Sequence, residues 1–508
     1  MNVNPFFHDK YKTLLRWSLP FGLLFALDLH AQDPRSGTEV SQSSLMADPP
    51  EVRSPFVLYA ISDPDTGKAA FSFAGQEDPP VIRAAPGEDI RLTYMNEMST
   101  NSHERCVDGP CMNMTNLHFH GLHVSPNAPQ DDVLTMMAMP GQSLRYVVNI
   151  PLDQPPGLYW YHTHPHGESY RQALNGMSGA IVIDGMERYD PEVRYMRERI
   201  LVLRDRVIEE NDPAASALRH RVQMPATGCS TSTEEPERIF TVNGVVRPQI
   251  SIAPGERQFW RIVNASPDLY ADLQLDTEQF EIVALDGMPI AFHDPKHRTE
   301  LADHILVPPA GRVEAIVTGP QPGAQASLRT LCFDTGPDGD PNPAMVLADM
   351  VDLVQPTLGI STAPIDTSVS IYKPLSPKLI TSVENSAADF VVTFTEDKKG
   401  FYINGKKYGA MDPPMTSVVI GTYRHWRVVN NTQEVHPFHI HQVHFFVYAQ
   451  NGERLTRPEW LDTVNVPVKG SVDLMMDFTD PIIRGISLFH CHLLNHEDKG
   501  MMAQILFK

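Results

Sequence analysis

One stretch near the C-terminus decides how the chain is interpreted: His490-Cys491-His492-Leu493-Leu494-Asn495-His496-Glu497-Asp498-Lys499-Gly500-Met501. On a β-strand, successive side chains point to opposite faces, so that His490 and His492 share one face and Cys491 points from the other. A thiolate, two imidazoles and a distant thioether are the ligands of a blue-copper centre. The stretch offers Cys491, His496 and Met501 for such a centre, and it lacks one histidine.

The missing histidine is found in the segment His436-Pro437-Phe438-His439-Ile440-His441. Strand alternation predicts that His436 points away from His439 and His441, just as Cys491 points away from its two neighbours. Both segments therefore place one ligand on one side of a strand and two on the other. We predict a mononuclear site of His436, Cys491, His496 and Met501.

Histidines separated by one residue recur along the chain. Four pairs stand out, His118/His120, His162/His164, His439/His441 and His490/His492, and His164/His166 is a further one. With 21 histidines in 508 residues, chance would give about 0.9 such pairs. Each pair lies in strand-like sequence, so both members can face one cavity. Eight imidazoles directed at one place predict a cluster of metal ions.

Length and charge restrict the class of protein. A chain of 508 residues has room for about three domains of ordinary size. The formal net charge is −21, which argues against a protein that follows nucleic-acid phosphates, and no nucleic-acid partner is expected.

An internal repeat predicts the domain organisation. Ala85-Pro86-Gly87-Glu88 and Ala253-Pro254-Gly255-Glu256 each precede a β-rich run that ends in an asparagine, Asn96 or Asn264, and a related run ends at Asn430. Repeats at domain spacing, with scarce helical periodicity, predict an all-β fold of three β-sandwich units. We place the units at 55–186, 195–355 and 385–508, with a proline-stiffened linker at 356–384.

The first residues resemble a targeting segment. Lys10, Lys12 and Arg16 precede an apolar run that is too short to span a bilayer, which predicts a signal peptide over residues 1–31. A retained membrane anchor is the alternative. We expect an exported protein, periplasmic or secreted, with no membrane span in the mature chain, and a monomer.

Five cysteines are an odd number for an exported protein. If Cys491 binds metal, four remain. We predict two disulfides, Cys106 with Cys111 and Cys229 with Cys332, because an oxidising compartment favours them.

Together these motifs resemble the multicopper oxidases, in particular the three-domain, laccase-like branch. The resemblance covers the chain from about residue 55 to the C-terminus. It implies three cupredoxin-like Greek-key β-sandwich domains and four copper ions, with a trinuclear cluster between the first and third domains. It implies type 2 copper at His118 and His439. The type 3 pair is implied at His120, His162, His164, His441, His490 and His492. The resemblance leaves four residues as the ligands of type 1 copper, namely His436, Cys491, His496 and Met501.

The resemblance also implies an activity, in which four one-electron oxidations of small reducing substrates are coupled to the reduction of O₂ to water. The edge of His496 would receive the electrons. Glu497, and either Asp131 or Asp132, match carboxylates that the family uses to deliver protons. Without a Met-rich insertion in the third unit, we expect phenolic, aromatic amine or bilirubin-like donors. A metal-ion oxidase acting on Cu(I), Fe(II) or Mn(II) and a copper-free scaffold protein are the alternatives.

Overall fold

The structure is a computed structural model that describes residues 45–508, apart from positions 65, 103, 108, 341 and 374 and the segments 209–214, 223–237 and 354–372. The predicted signal peptide and Cys229 lie outside the described residues. Strands account for 47% of the chain and helices for 10%, which confirms the prediction of an all-β, cupredoxin-like fold.

The strands before residue 190 form a five-stranded sheet, a four-stranded sheet and a short hairpin. These strands are β1 (Glu51–Val52), β2 (Phe56–Ser62), β3 (Ala69–Ser72), β4 (Val81–Ala84), β5 (Asp89–Glu97), β6 (Arg105–Cys106), β7 (Gly109–Pro110), β8 (His118–His120), β9 (Ser143–Asn149), β10 (Gly157–His162) and β11 (Ser178–Ile183). The two larger sheets have the orders β1-β4-β11-β10-β8 and β3-β2-β5-β9. Their inner faces enclose one apolar core.

The central strands form a seven-stranded and a five-stranded sheet. They are β12 (Arg197–Val207), β13 (Arg238–Val242), β14 (Gln249–Ser251), β15 (Arg257–Asn264), β16 (Ala271–Leu275), β17 (Phe280–Leu285), β18 (Met288–Pro289), β19 (Glu300–Ala302), β20 (His304–Val307), β21 (Arg312–Thr318), β22 (Ala326–Leu331) and β23 (Met345–Val351). The orders are β13-β12-β15-β21-β17-β18, with β19 beside β17, and β14-β23-β22-β16-β20. They enclose a second core.

The last strands form a six-stranded and a five-stranded sheet. They are β24 (Phe390–Asp397), β25 (Gly400–Ile403), β26 (Thr416–Val418), β27 (Thr422–Asn430), β28 (His436–Ile440), β29 (Phe445–Gln450), β30 (Glu453–Leu461), β31 (Thr463–Val466), β32 (Ser471–Phe478), β33 (Gly485–Cys491) and β34 (Met502–Phe507). The orders are β25-β24-β27-β32-β29-β30 and β26-β34-β33-β28-β31. Cys491 and Met501 belong to the core that these sheets share.

The repeated sequences occupy the same place in three sheets. β5, β15 and β27 each lie between one parallel and one antiparallel neighbour, namely β2 and β9, β12 and β21, and β24 and β32. The repeat therefore marks one strand position used three times. The exact limits of the three predicted domains stay a prediction.

The asparagine that ends each repeat has the same role each time. The Nδ2 atom of Asn96 donates to the carbonyls of Asn113 and Ala138, at 2.8 and 2.9 Å. Asn264 and Asn430 likewise each donate to two carbonyls. Each Oδ1 atom also accepts the backbone N–H two residues later. One buried amide thus satisfies three backbone groups where the chain leaves the strand.

Among the described residues, the α-helices are few and short. They are α1 (Ser169–Leu174), α2 (Ala215–Val222), α3 (Pro377–Glu384) and α4 (Leu494–Asp498). Helix α3 occupies the end of the predicted linker, whose residues 356–372 and 374 lie outside the described part of the chain. Within the described residues, no helix has the length and apolar character needed to cross a bilayer.

One predicted disulfide, Cys106 with Cys111, is present in the structure. Cys332 is also disulfide-bonded. Its predicted partner, Cys229, lies outside the described residues, so that pairing stays a prediction. Among the described cysteines, Cys491 is the free one, and it is buried.

Candidate metal centres

Antiparallel strand pairs bring the histidine pairs together. On the β8–β10 ladder, His118 lies opposite His162. On the β28–β33 ladder, His439 lies opposite His490. Because alternate residues of a strand face the same side, each His-x-His pair presents both rings to one space.

All eight paired histidines converge between the first and last groups of sheets. The ring of His118 stacks on that of His441 with centroids 3.7 Å apart, and His120 stacks on His439 at 3.8 Å. Every one of the eight is at least 98% buried. Ring nitrogens of His164, His441 and His490 lie within 4.8 Å of one another, as do those of the set His118, His439 and His441.

The hydrogen-bonding pattern leaves ring nitrogens free for a metal. His118 and His439 use Nδ1 to contact Asp131 and the carbonyl of Asp462, and Nε2 of each is buried without a partner among the described residues. His120 is reversed, with Nε2 beside Asp462 and Nδ1 unpartnered. Burying a lone pair without a partner is costly, and coordination to a metal removes that cost. The donor set therefore fits a cluster of ions that prefer imidazole.

Electrostatics favour neutral, ligating imidazoles. Burial lowers the pKa of all eight rings, and for most of them repulsion from neighbouring histidines lowers it further. The pKa of His162 falls to about 3 and that of His490 to about 4. Because a metal ligand must carry a free lone pair, this environment keeps the rings in the binding form.

A second group gathers on the other side of β28 and β33. Nδ1 of His436 lies 3.4 Å from Sγ of Cys491 and 3.3 Å from Nδ1 of His496. All three residues are buried. The predicted alternation is thus realised, since His436 and Cys491 face this group while His439 and His490 face the imidazole cluster.

In the group formed by His436, Cys491 and His496, the Nε2 atoms of the two histidines point outward and contact other residues. Nε2 of His436 lies 2.8 Å from Oγ1 of Thr432. Nε2 of His496 lies 3.6 Å from a carboxylate oxygen of Glu434. The ring of Phe401 stacks on His496 with centroids 3.8 Å apart. These contacts fix the ring orientations and direct both Nδ1 atoms inward.

The backbone places Met501 beside the same group. Met501 is fully buried, its N–H donates to the carbonyl of His496, and its carbonyl accepts from Cys491 N–H. Gly500, at φ 117°, precedes it and lets the chain leave α4 and return to the sheet. Burial raises the pKa of the Cys491 thiol, so that binding a metal there releases a proton.

The two candidate aspartates, Asp131 and Asp132, have different contacts in the structure. Asp131 is fully buried, contacts Nδ1 of His118 at 3.0 Å and accepts from Gln442 at 2.7 Å. Burial raises its pKa to about 8. Asp132 instead accepts from the N–H groups of Leu134 and Thr135, and so holds the following turn.

Glu497 lies at the edge of the imidazole cluster. Its carboxylate oxygens lie 3.3 Å from Nδ1 of His490 and 3.6 Å from Nδ1 of His164. Burial, with repulsion from Asp498, raises its pKa well above the ordinary value. Asp498 itself accepts the N–H groups of Gly167 and Tyr170 and ties α4 to the start of α1.

Sequence reasoning missed a buried ion pair that supports the cluster. Asp462 contacts His120 at 3.1 Å and binds both terminal nitrogens of Arg312, at 2.6 and 2.7 Å. Nearby, Nε2 of His123 lies 2.7 Å from Nδ1 of His444. No sequence spacing connects Asp462 or Arg312 to the histidine motifs, so the sequence held no signal for them.

The twelve predicted ligands thus form two adjacent groups on a β-sandwich scaffold. A His₂Cys set with a methionine, beside eight convergent imidazoles, defines the class of cupredoxin-fold copper proteins.

Comparisons with known proteins agree with this class. Two family models, both described as multicopper oxidase, match residues 59–188 and 376–508. The chain belongs to the multicopper oxidase family and is a copper-dependent oxidoreductase that uses O₂.

Individual relatives are distant. A multicopper oxidase from Staphylococcus aureus is 22% identical over 84% of this chain and 81% of its own. A laccase from Bacillus subtilis is 25% identical over 70% of this chain and 72% of its own. Among solved structures, a multicopper oxidase from Campylobacter jejuni, described as a metallo-oxidase, has a TM-score of 0.68 at 23% identity, covering 92% of this chain and 96% of its own.

Proposed function

We propose that the protein couples one-electron oxidation of a cationic donor, a reduced metal ion, at the edge of His496 to four-electron reduction of O₂ to water. The observation that carries this proposal is a ring of carboxylates around His496. The organic donors expected from the sequence are retained as the second candidate.

The ligands would divide as the sequence predicts. His436, Cys491, His496 and Met501 would hold type 1 copper, and His118 and His439 would hold type 2 copper. The type 3 pair would be held by His120, His162, His164, His441, His490 and His492. Bound copper supplies one-electron redox chemistry at the first group and O₂ chemistry at the second. The free nitrogens of His118, His120 and His439 support this assignment.

Carboxylates line the surface depressions over His496. Besides Glu434, the lining includes Asp268, Asp338, Asp340, Glu396 and Asp397, against the ammonium groups of Lys398 and Lys469. Burial, with repulsion from Glu396, Asp340, Asp268 and Asp338, raises the pKa of Glu434 to about 8. A bound cation would relieve that repulsion and displace the proton that the raised pKa favours on Glu434, and the other carboxylates would concentrate cations near His496.

An organic donor has support of a different kind. Phe401 provides an aromatic surface against the ring of His496. The Bacillus subtilis relative is a laccase. A phenol or aromatic amine could pack there, but neither compound needs the carboxylates that surround His496.

Two buried carboxylic acids would hold protons near the imidazole cluster. Burial raises the pKa of Glu497 well above its ordinary value and that of Asp131 to about 8, which favours the protonated acids. Glu497 lies beside His164 and His490, and Asp131 lies beside His118. Reduction of O₂ to water consumes protons, and these groups are positioned to donate them at two sides of the cluster.

Oxygen uptake by the copper-loaded protein tests the donor. We expect faster uptake with Fe(II), Cu(I) or Mn(II) than with a phenol, an aromatic diamine or bilirubin. In Glu434→Gln the KM for the metal ion should rise about tenfold, while that for the phenol stays unchanged. Glu453→Gln, at an exposed glutamate on β30, is the matched control. Faster uptake with the organic donors, or a KM for the metal ion that does not change in Glu434→Gln, would select the second candidate.

A further inference from the structure

A loop of the central group of sheets lies against the predicted mononuclear site. The loop comprises residues 265–270, between strands β15 and β16. Its last residue, Tyr270, is 2% exposed and belongs to the apolar core of the last group of sheets, the core that also contains Cys491 and Met501. A side chain from the central sheets therefore completes the core around two of the predicted ligands.

The hydroxyl of Tyr270 holds the peptide that precedes a predicted ligand. It donates to the carbonyl oxygen of Val435 at 2.9 Å, and the N–H of Val435 donates to the carbonyl of Thr335 at 2.8 Å. Thr335 also belongs to the central part of the chain, between β22 and β23. Because the Val435 carbonyl and the His436 N–H share one planar peptide unit, the bond from Tyr270 limits the rotation of that plane.

The same loop holds the segment that follows Cys491. The carbonyl of Pro267 accepts the N–H of Leu494 at 3.1 Å. In the neighbouring peptide, the N–H of Leu493 donates to Sγ of Cys491 at 3.5 Å. Hydrogen bonds to the cysteine sulfur tune the redox potential of blue-copper sites. The contact from Pro267 therefore steadies the backbone beside the group that faces the sulfur.

Tyr270 is itself held in place by the central sheets. Its N–H donates to Oδ1 of Asn342 at 2.8 Å, and its ring packs on that of Phe333 with centroids 4.9 Å apart. The N–H of Phe333 in turn donates to the carbonyl of Asn342 at 3.1 Å. An anchored hydroxyl resists movement of the carbonyl that it binds, so the central sheets determine where Val435 lies.

We propose that Tyr270 is a positioning residue for the mononuclear site. Together with Pro267, it holds the two segments that carry the predicted ligands and so sets the redox potential of copper bound there. Residues that orient metal ligands from outside change the properties of the bound metal. Cu(II) prefers a tetragonal arrangement, so ligands that are free to move favour the oxidised state and lower the potential. This inference rests on the type 1 assignment proposed above and is independent of which donor is oxidised.

Tyr270→Phe tests the proposal, because it keeps the ring and removes only the hydroxyl. The copper-loaded variant and wild type are compared by their blue absorption, by electron paramagnetic resonance and by redox titration of the blue colour. We expect the absorption maximum and the resonance of type 1 copper to shift and the midpoint potential to fall. At a fixed potential, the ratio of oxidised to reduced copper should be about three- to tenfold higher in the variant.

Tyr161→Phe is the matched control. Tyr161 is also buried, and its hydroxyl donates to the carbonyl of Pro80 at 2.8 Å. Each variant loses one buried hydrogen bond, so denaturant unfolding should show similar losses of stability, whereas only Tyr270→Phe should change the type 1 signals. Equal shifts of these signals in the two variants, or wild-type signals in a folded Tyr270→Phe protein, overturn the proposal.

A second variant, Asn342→Ala, decides the matter should Tyr270→Phe not fold. It keeps the hydroxyl of Tyr270 and removes the side chain that accepts its N–H, and it should shift the type 1 signals in the same direction. Unchanged signals in Asn342→Ala overturn the proposal. Absence of blue colour in the copper-loaded wild type overturns both the type 1 assignment and the role of Tyr270, whereas the identity of the donor, measured by oxygen uptake, affects neither.

Discussion

Nε2 of His120 lies 3.1 Å from Oδ1 of Asp462, although 342 residues separate them in the sequence. The same carboxylate pairs with Arg312, so that one buried ion pair connects strand β8, strand β21 and the loop between β30 and β31. The contact orients His120 with Nδ1 free, the reverse of His118 and His439.

The first prediction concerns this ion pair. Asp462→Asn removes the carboxylate that binds both terminal nitrogens of the buried Arg312 and leaves it the more distant Asp286, at 3.5 Å, as its charged partner among the described residues, which should lower the free energy of unfolding by up to about 3–5 kcal/mol. Denaturant unfolding of the copper-free protein measures the loss. Asp349→Asn, which breaks a half-buried pair with Arg247, is the control and should cost about 1 kcal/mol or less. Equal losses in the two variants would show that the buried pair of Asp462 and Arg312 contributes no more stability than the half-buried control pair.

A second prediction concerns the thiol. Cys491→Ser replaces the thiolate of the mononuclear group with a hydroxyl, a poor ligand for copper. The blue colour and substrate oxidation should disappear, while copper at the eight imidazoles remains. Absorption spectra and the copper content per chain measure both effects. Loss of all copper would instead show that the two groups do not load independently.

The third prediction separates proton delivery from electron uptake. Glu497→Gln keeps the shape of the buried side chain and removes its acid, so O₂ consumption should fall about a hundredfold. Anaerobic bleaching of the blue absorption by substrate should continue at the normal rate. Stopped-flow absorption with an oxygen electrode records both rates, and normal turnover in this variant would falsify the role of Glu497.

The fourth prediction distinguishes the adjacent aspartates. Asp131 contacts His118, whereas Asp132 caps a turn. Asp131→Asn should therefore slow O₂ consumption by about tenfold or more. Asp132→Asn should leave the rate near normal and lower stability by about 1 kcal/mol. Oxygen uptake and thermal unfolding of both variants are compared, and the reverse ranking of the rates would assign the role to Asp132.

Much of the fold and the ligand set could be predicted because the information is local. A His-x-His pair on a strand faces one side whatever the rest of the chain does, and Cys491 must face the other. The repeated run ending in Asn96, Asn264 or Asn430 likewise predicted three copies of one unit, and in the structure the same strand position and the same buried amide recur.

The supporting residues could not be predicted, because they depend on which distant strands meet. Nothing near Asp462 or Glu434 in the sequence indicates that one supports His120 and the other His496. The choice between Asp131 and Asp132 also needed coordinates, since adjacent side chains differ only in the direction they point.

By itself the sequence determined the all-β class, the twelve candidate ligands and their division between two faces, because strand alternation is a property of the local backbone. Only the tertiary structure decided which carboxylates surround the ligands and that Tyr270, from the central sheets, holds the peptide before His436. Those features arise where separate sheets pack together, and burial there sets the pKa values and leaves the unpaired nitrogens on which the chemistry depends.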